Sequence, residues 1–134
     1  MPEITWETPL ARQLAAHPAP ARAAGITASE WPQSAIHILR GKPDDNAFTA
    51  AAENALGVAL PTAPRQSAEK DALTILRLSP DEWLLKSPWQ DKTALATRLQ
   101  RALANQHAQI VDNSGGYTGL ELRGEAVETV LRHL

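Results

Sequence analysis

Asp81 and Glu82, in the stretch LSPDEWLL, are adjacent carboxylates of the kind that general acid–base catalysis uses. Two cooperating carboxylates must converge on one substrate atom. Neighbouring residues of a strand point to opposite faces, so this pair does not converge by itself. Pro80-Asp81 is instead typical of a turn, because proline presets φ and aspartate accepts hydrogen bonds locally. We therefore predict the turn of a hairpin whose second strand carries Trp83 back into the core.

The histidines do not form a metal-binding pattern. No two of the four share i, i+4 spacing or stand near an acid at the spacing of metal ligands. His37 interrupts an apolar strand and is interpreted as an interior or edge histidine whose ring is satisfied by hydrogen bonds, in preference to a metal ligand. The chain has no cysteine, which excludes thiolate catalysis and cysteine-ligated metal centres. We assign no catalytic, cofactor-binding or metal-binding residue.

The glycine-rich stretch at 114–124 is a poor candidate for a phosphate loop. No Lys-Ser or Lys-Thr follows it, and its glycines precede a predicted strand instead of a helix. Gly115 and Gly116 are better explained as the turn of a hairpin. Ser114 does not lie in a G-x-S-x-G elbow. Asp112 with Ser114, at the end of a strand, remains a hypothesis for binding a polar group.

Composition and charge limit the class of partner. The chain has 134 residues, 43% of them hydrophobic, and a net charge of −2. This balance provides no basic field for nucleic acid or an anionic membrane. No apolar run reaches membrane-spanning length, and the residues around Glu3 and Glu7 lack the hydrophobic stretch of a secretory signal. We expect a cytoplasmic protein without nucleic-acid or membrane partners.

Periodicity and turn residues predict the order strand, helix, hairpin, helix, hairpin, helix. Hairpins imply antiparallel pairing, so the expected fold is α+β, with an antiparallel sheet and helices packed on one face. The predicted segments are a strand at 34–41, a helix between Asp44 or Asp45 and Gly57, a loop at 58–71, hairpin strands at 72–78 and 82–86, a helix from Asp91 or Thr93, a hairpin over 107–123 and a helix after Gly124.

Residues 1–25 are rich in alanine and proline and are predicted to form an arm, followed by a single domain at 26–134. The arm has few apolar residues with which to pack on its own domain, so a tryptophan within it is a candidate anchor for another chain. The closing helix has an apolar side that no cap or polar tail terminates. The predicted partner contacts are Trp6, Leu10, Leu14, Val130 and Leu134.

Four segments taken in order resemble the gamma subunit family of heterotetrameric sarcosine oxidase. They are TPLARQLA, HILRGKPDDNAFTAAAENALGVALPTAP, ILRLSPDEWLL and IVDNSGGYTGLELRGEAVETVL, and they extend from about Thr8 to Leu134. The resemblance implies a fold like the N-terminal part of the glycine-cleavage T-protein, which belongs to a folate-binding family.

The resemblance also implies a non-catalytic small subunit. Such a subunit supports the alpha subunit of a sarcosine oxidase, an oxidoreductase complex of sarcosine catabolism that demethylates sarcosine oxidatively and also contains beta and delta subunits. The resemblance places FAD, FMN, NAD and tetrahydrofolate in the partner subunits and none of them in this chain. Two alternatives stay open: a free-standing T-protein-like module that binds a folate or another small ligand, and an enzyme that acts alone.

The family pattern continues beyond the position that matches Leu134. The chain is therefore expected to be either a shortened relative or a form that lacks part of the domain. Missing strands would leave a sheet edge open and one side of a helix uncovered, and such surfaces favour association. We expect the chain to bind a partner, or to form a homo-oligomer when it is alone.

Overall fold

The computed structural model describes residues 7–17 and 25–134. The chain divides into two compact units, which we call the small unit (1–32 with 118–134) and the sheet unit (33–117). The predicted boundary after residue 25 stays a prediction.

The elements are α1 (Ala11–Ala16), β1 (Thr27–Glu30), β2 (Ser34–Gly41), α2 (Asn46–Leu56), β3 (Ser67–Lys70), β4 (Leu73–Ser79), β5 (Glu82–Pro88), a 3-10 turn (Trp89–Asp91), α3 (Lys92–Ala102), β6 (Ala108–Asp112), β7 (Leu120–Arg123) and α4 (Val127–Leu131).

The sheet unit contains a five-stranded sheet in the order β3-β4-β5-β2-β6, and all its neighbouring strands are antiparallel. Alternate residues of the strands pack with α2 and α3 into one hydrophobic core. The α+β class, the antiparallel sheet and the helices on one face are therefore confirmed. The core comprises Leu39, Phe48, Ala52, Leu56, Leu60, Ile75, Trp83, Leu85, Leu95, Leu99 and Leu103.

Both ends of α2 form as the sequence predicts. The Asp45 carboxylate accepts hydrogen bonds from the Ala47 and Phe48 amides at 3.0 and 3.2 Å, which satisfies two free donors of the first turn. Gly57 ends the helix in the left-handed region, at φ 73°, and its amide donates to the Glu53 carbonyl. The helix therefore begins and ends on local signals.

The β4–β5 hairpin is also confirmed, with Ser79 opposite Glu82. Trp83 is fully buried, and its indole N–H donates to the Pro61 carbonyl at 2.8 Å. Its ring lies 5.9 Å from that of Phe48, between ring centroids. The acid pair thus lies at a turn that returns a large aromatic side chain to the core.

Two short strands were not predicted. The predicted loop at 58–71 is wrong in its last part, because β3 pairs with β4 as an edge strand. The sequence of β3 is SAEK, which has no apolar alternation to reveal it. The strand β1 has the sequence TASE and is missed for the same reason.

The predicted hairpin over 107–123 is wrong. The strand β6 pairs with β2, whereas β7 pairs with β1. A turn does form after β6, where the Gly116 amide donates to the Asn113 carbonyl at 2.9 Å. The chain then continues to a different partner strand instead of returning along β6.

The small unit is built around the antiparallel β1–β7 pair, together with α1 and α4. The Trp31 amide extends the pairing by donating to the Gly119 carbonyl at 2.8 Å. A two-stranded ribbon of four residues a side is marginal in water on its own. Its stability therefore depends on the surfaces that it buries.

Candidate functional site

Four of the five predicted partner contacts lie among the described residues, and all four belong to the small unit. Leu10 and Leu14 are half-buried, Val130 is 37% exposed and Leu134 is 95% exposed. Trp6 lies outside the described residues. The function of these positions as contacts stays a prediction.

The same unit exposes two further leucines that the prediction omitted. Leu120 is 47% exposed on β7, and Leu131 is 53% exposed in α4. The sequence of β7, LELR, does not by itself show which of its leucines is exposed. We call Leu120, Val130, Leu131 and Leu134 the exposed apolar group of the small unit.

A single carboxylate connects the arm to the rest of the small unit. Glu30 on β1 accepts hydrogen bonds from the Leu10 amide at 3.4 Å and from the Thr118 hydroxyl at 2.5 Å. Desolvation by itself raises the pKa of Glu30, but the donors Thr118, Thr8 and Leu10 outweigh it, and the pKa lies below its ordinary value. The donors that hold the ionised form therefore come from both ends of the chain.

Within the described residues of the small unit, most charged side chains pair with one another. The pairs are Glu7 with Arg12, Glu121 with Arg123, and Glu128 with Arg132. Exposed pairs of this kind contribute little stability, but they reduce the local net charge. The exposed apolar group therefore lies in a unit whose described ion pairs are internal, which favours an apolar partner surface over a strongly charged one.

The proposed polar site at Asp112 and Ser114 is occupied by its own neighbours. The Asp112 carboxylate accepts from the Ser114 hydroxyl at 2.6 Å and amide at 3.0 Å, and it forms an ion pair with Lys92 at 2.9 Å. Ser114 and Lys92 hold the pKa of Asp112 far below its ordinary range. Lys92 also lies 4.4 Å from the centroid of the Trp89 ring. This cluster anchors α3 to the end of β6.

Two buried polar side chains of the sheet unit lack a hydrogen-bond partner among the described residues. His37 on β2 is fully buried, and neither ring nitrogen is bonded; Ser87 on β5 is 5% exposed, and its hydroxyl is unpaired. Burial lowers the pKa of His37, an effect that Asp112 opposes and Lys92 increases. His37 is thus an interior residue, as predicted, but the prediction that its ring is satisfied is wrong, because neither ring nitrogen is bonded by a described residue.

The acid pair at the hairpin does not converge. The Asp81 carboxylate accepts from the Ser79 hydroxyl at 2.9 Å and lies 3.8 Å from the Arg40 guanidinium. Glu82 occupies the first position of β5. Within 7–17 and 25–134, no group of three histidine, aspartate or glutamate side chains is placed to hold a metal ion.

A cleft of about 570 Å³ opens in the sheet unit, where the last turn of α2 faces the first half of α3. The end of β5 and the β3–β4 turn contribute to its lining. Its volume lies in the range of small-molecule sites. We call it the α2–α3 cleft. None of the described helices is long and apolar enough to cross a membrane.

Comparison with known proteins identifies a set of similar chains. Residues 40–133 match the model of the sarcosine oxidase, gamma subunit family. Similar relatives include the sarcosine oxidase subunit gamma of Corynebacterium sp. (strain U-96), 35% identical over 133 residues, and that of Corynebacterium sp. (strain P-1), 34% identical over 131. The matches cover 93% of this chain and 63% of each relative, so the chain spans less than two thirds of their length.

A solved structure has the same fold. It is a chain of the heterotetrameric sarcosine oxidase from Corynebacterium sp. U-96, determined in complex with pyrrole 2-carboxylate. The TM-score is 0.81 at 33% identity, and the match covers 96% of this chain and 66% of the other. The similarity therefore extends over nearly all of the present chain.

Proposed function

The chain belongs to the sarcosine oxidase gamma subunit family, and from this premise we propose that it is a non-catalytic small subunit of a heterotetrameric sarcosine oxidase-like complex. In this function it supports an alpha subunit during the oxidative demethylation of sarcosine, alongside beta and delta subunits. The observation that carries the proposal is the likeness over 96% of the chain to a chain of a heterotetrameric sarcosine oxidase.

The exposed apolar group of the small unit supports a function in assembly. Leu131 and Leu134 are 53% and 95% exposed, and apolar side chains of this size gain free energy when another chain covers them. The described ion pairs of the same unit are internal. The proposal therefore assigns this surface to the alpha subunit, with apolar burial as the main driving force.

The proposal assigns the redox chemistry to the other subunits. The sheet unit is antiparallel, and its glycine-rich turn at 114–116 precedes no helix, which does not fit a dinucleotide-binding unit. FAD, FMN, NAD and tetrahydrofolate would all be bound by partner chains. The cytoplasm is the proposed location.

Co-expression with the alpha subunit of the same organism tests the proposal. We expect the two chains to co-purify as a flavin-containing complex and the chain alone to show no turnover of sarcosine.

The double variant Val130→Ser with Leu134→Ser should weaken the Kd for the alpha subunit about tenfold or more, because truncating buried interface side chains commonly costs about 1 kcal/mol each. Calorimetry measures this Kd.

Leu78→Ser is the matched control, because Leu78 is 47% exposed but belongs to the sheet unit. It should leave the Kd unchanged. Equal weakening by the control would show that the exposed apolar group is not the contact surface. Failure of the unaltered chain to bind the alpha subunit, or turnover of sarcosine by the chain alone, would overturn the proposed function itself.

A further inference from the structure

The α2–α3 cleft has a wall with one charge at each end. Asp91, Ala94, Leu95 and Arg98 all line it, and their i, i+3, i+4, i+7 spacing places them on one face of the helix. Asp91 and Arg98 are two turns apart, which corresponds to about 10 Å along the helix axis. The wall therefore presents a carboxylate and a guanidinium separated by an apolar stretch.

Neither charge is used within the described protein. Asp91 and Arg98 are both exposed, and neither side chain forms an ion pair or hydrogen bond with another described residue. The Asp91 side chain does not cap α3 either. By contrast, Lys70 on the opposite side already donates to the Gly57 carbonyl at 2.8 Å. The two ends of the α3 wall thus remain available to a ligand, as does Asp71, which also lines the cleft and is exposed.

The lining also contains a buried polar group without a partner. Ser87 is 5% exposed, lines the cleft and has an unbonded hydroxyl. A buried hydroxyl without a partner costs free energy, which a bound polar group would recover. The rest of the lining is mixed: Leu56, Leu73 and Pro88 are apolar, whereas Asn54, Lys70 and Asp71 are polar or charged. The apolar members suit a hydrocarbon chain, and the charged members suit its two ends.

We propose that the α2–α3 cleft binds an elongated zwitterion, a molecule with an ammonium and a carboxylate at opposite ends of a short hydrocarbon chain. The carboxylate accepts from Arg98, the ammonium donates to Asp91, and the chain lies along Ala94 and Leu95. Asp71 and Lys70 also line the cleft and balance each other in charge, so a ligand without net charge is favoured over an anion or a cation.

Titration of the full chain with ε-aminocaproate, followed by amide chemical shifts, tests the proposal. We expect saturable changes confined to residues 54–57, 70–73, 87–88 and 91–98. Caproate and hexylamine, which each carry one of the two charges, should bind about tenfold more weakly because one charge-assisted hydrogen bond is lost. Glycine should bind as weakly as caproate and hexylamine do, since its two charges are too close together to reach both ends of the wall.

Two variants and a control make the assignment specific. Arg98→Gln should lower the affinity for ε-aminocaproate to that for hexylamine, because the ligand carboxylate then has no guanidinium to bind. Asp91→Asn should lower it to the affinity for caproate, because the ligand ammonium then has no carboxylate to bind. Arg101→Gln removes an equal charge from an exposed position of α3 outside the cleft. It should leave both differences in affinity unchanged. Thermal unfolding of each variant confirms that the fold persists.

The proposal fails if ε-aminocaproate does not saturate, if glycine binds equally well, or if Arg101→Gln acts like Arg98→Gln. None of these results depends on the alpha subunit.

Discussion

Two neighbouring polar side chains at one end of the sheet have opposite environments. His37 lies opposite Asp112 in the β2–β6 register. Asp112 is bonded by Ser114 and Lys92, whereas the buried His37 ring has no partner in the part of the chain that the structure describes. A strand pattern in the sequence predicts that His37 is interior, but it carries no information on whether a donor or acceptor from another element reaches the ring. The sequence therefore indicates the burial and not the missing hydrogen bonds.

The buried His37 ring predicts a loss of stability at acid pH. Its pKa is lowered from the ordinary value of 6.5, first by burial. Below pH 6.5 the unfolded chain therefore binds a proton that the folded chain does not yet accept, and the free energy of unfolding falls as the pH drops. The decrease ends once the pH has passed the lower pKa of the folded state. Urea unfolding at a series of pH values, from neutral down to the onset of aspartate protonation, measures this decrease.

Replacement of the histidine isolates its contribution to that decrease. His37→Leu should flatten the fall in the free energy of unfolding, because the unfolded variant no longer binds the proton. His107→Leu, at an exposed position beyond α3, should retain the fall. Asp112 loses its contribution only at lower pH, since its pKa is depressed and its stabilisation is lost below the ordinary aspartate range. An unchanged pH dependence in His37→Leu would contradict the assignment.

At the scale of elements, α2 is predictable because both its ends depend on residues close in the chain. The sequence offered Asp44 or Asp45 as the cap, and the structure selects Asp45. We predict that Asp45→Ala lowers the free energy of unfolding by about 1 kcal/mol, the usual effect of losing an N-cap. Asp44→Ala, one position earlier, should change it by less than about 0.5 kcal/mol. Denaturant unfolding of the two variants compares them, and equal losses would contradict the capping assignment.

Strand pairing was harder to predict than strand position. The sequence locates β6 and β7, but a turn between them suggested that they pair with each other. In the structure β6 adds to the edge of β2, and β7 pairs with β1, about ninety residues earlier in the chain. Such pairings depend on long-range packing that alternation of apolar residues does not encode. The short polar strands β1 and β3 were not predicted for a related reason, since their positions depend on a partner strand.

At the scale of the whole molecule, the large buried apolar side chains of the described residues all belong to the sheet unit. The predicted partner contacts all belong to the small unit, apart from Trp6, which is not described. The sequence indicated these contacts through weak internal packing of the arm and an uncovered helix side. It did not indicate the α2–α3 cleft, because Asp91 and Arg98 meet α2 only through the tertiary fold.

Because the large buried apolar side chains lie in the sheet unit, we predict that amide hydrogens exchange more slowly there than in the small unit. The amides of β2 and β5, two interior strands of the sheet, should exchange by global unfolding, whereas those of β1 and β7 should exchange faster through local opening. Mass spectrometry of the isolated chain measures both. Binding of the alpha subunit should slow exchange at 118–134 and leave the central strands unchanged. Equal protection of β5 and β7 in the isolated chain would contradict the prediction.

The order of the strands also has a consequence during synthesis on the ribosome. The interior strand β2 emerges early, but its two neighbours are β5 and β6, which follow some forty and seventy residues later. Its apolar residues must therefore wait for much of the remaining chain to leave the exit tunnel before they are covered. Nascent chains with such delayed partners are exposed to aggregation and depend on chaperones during translation. The time needed to translate the chain from α2 to β6 thus sets how long this segment stays vulnerable.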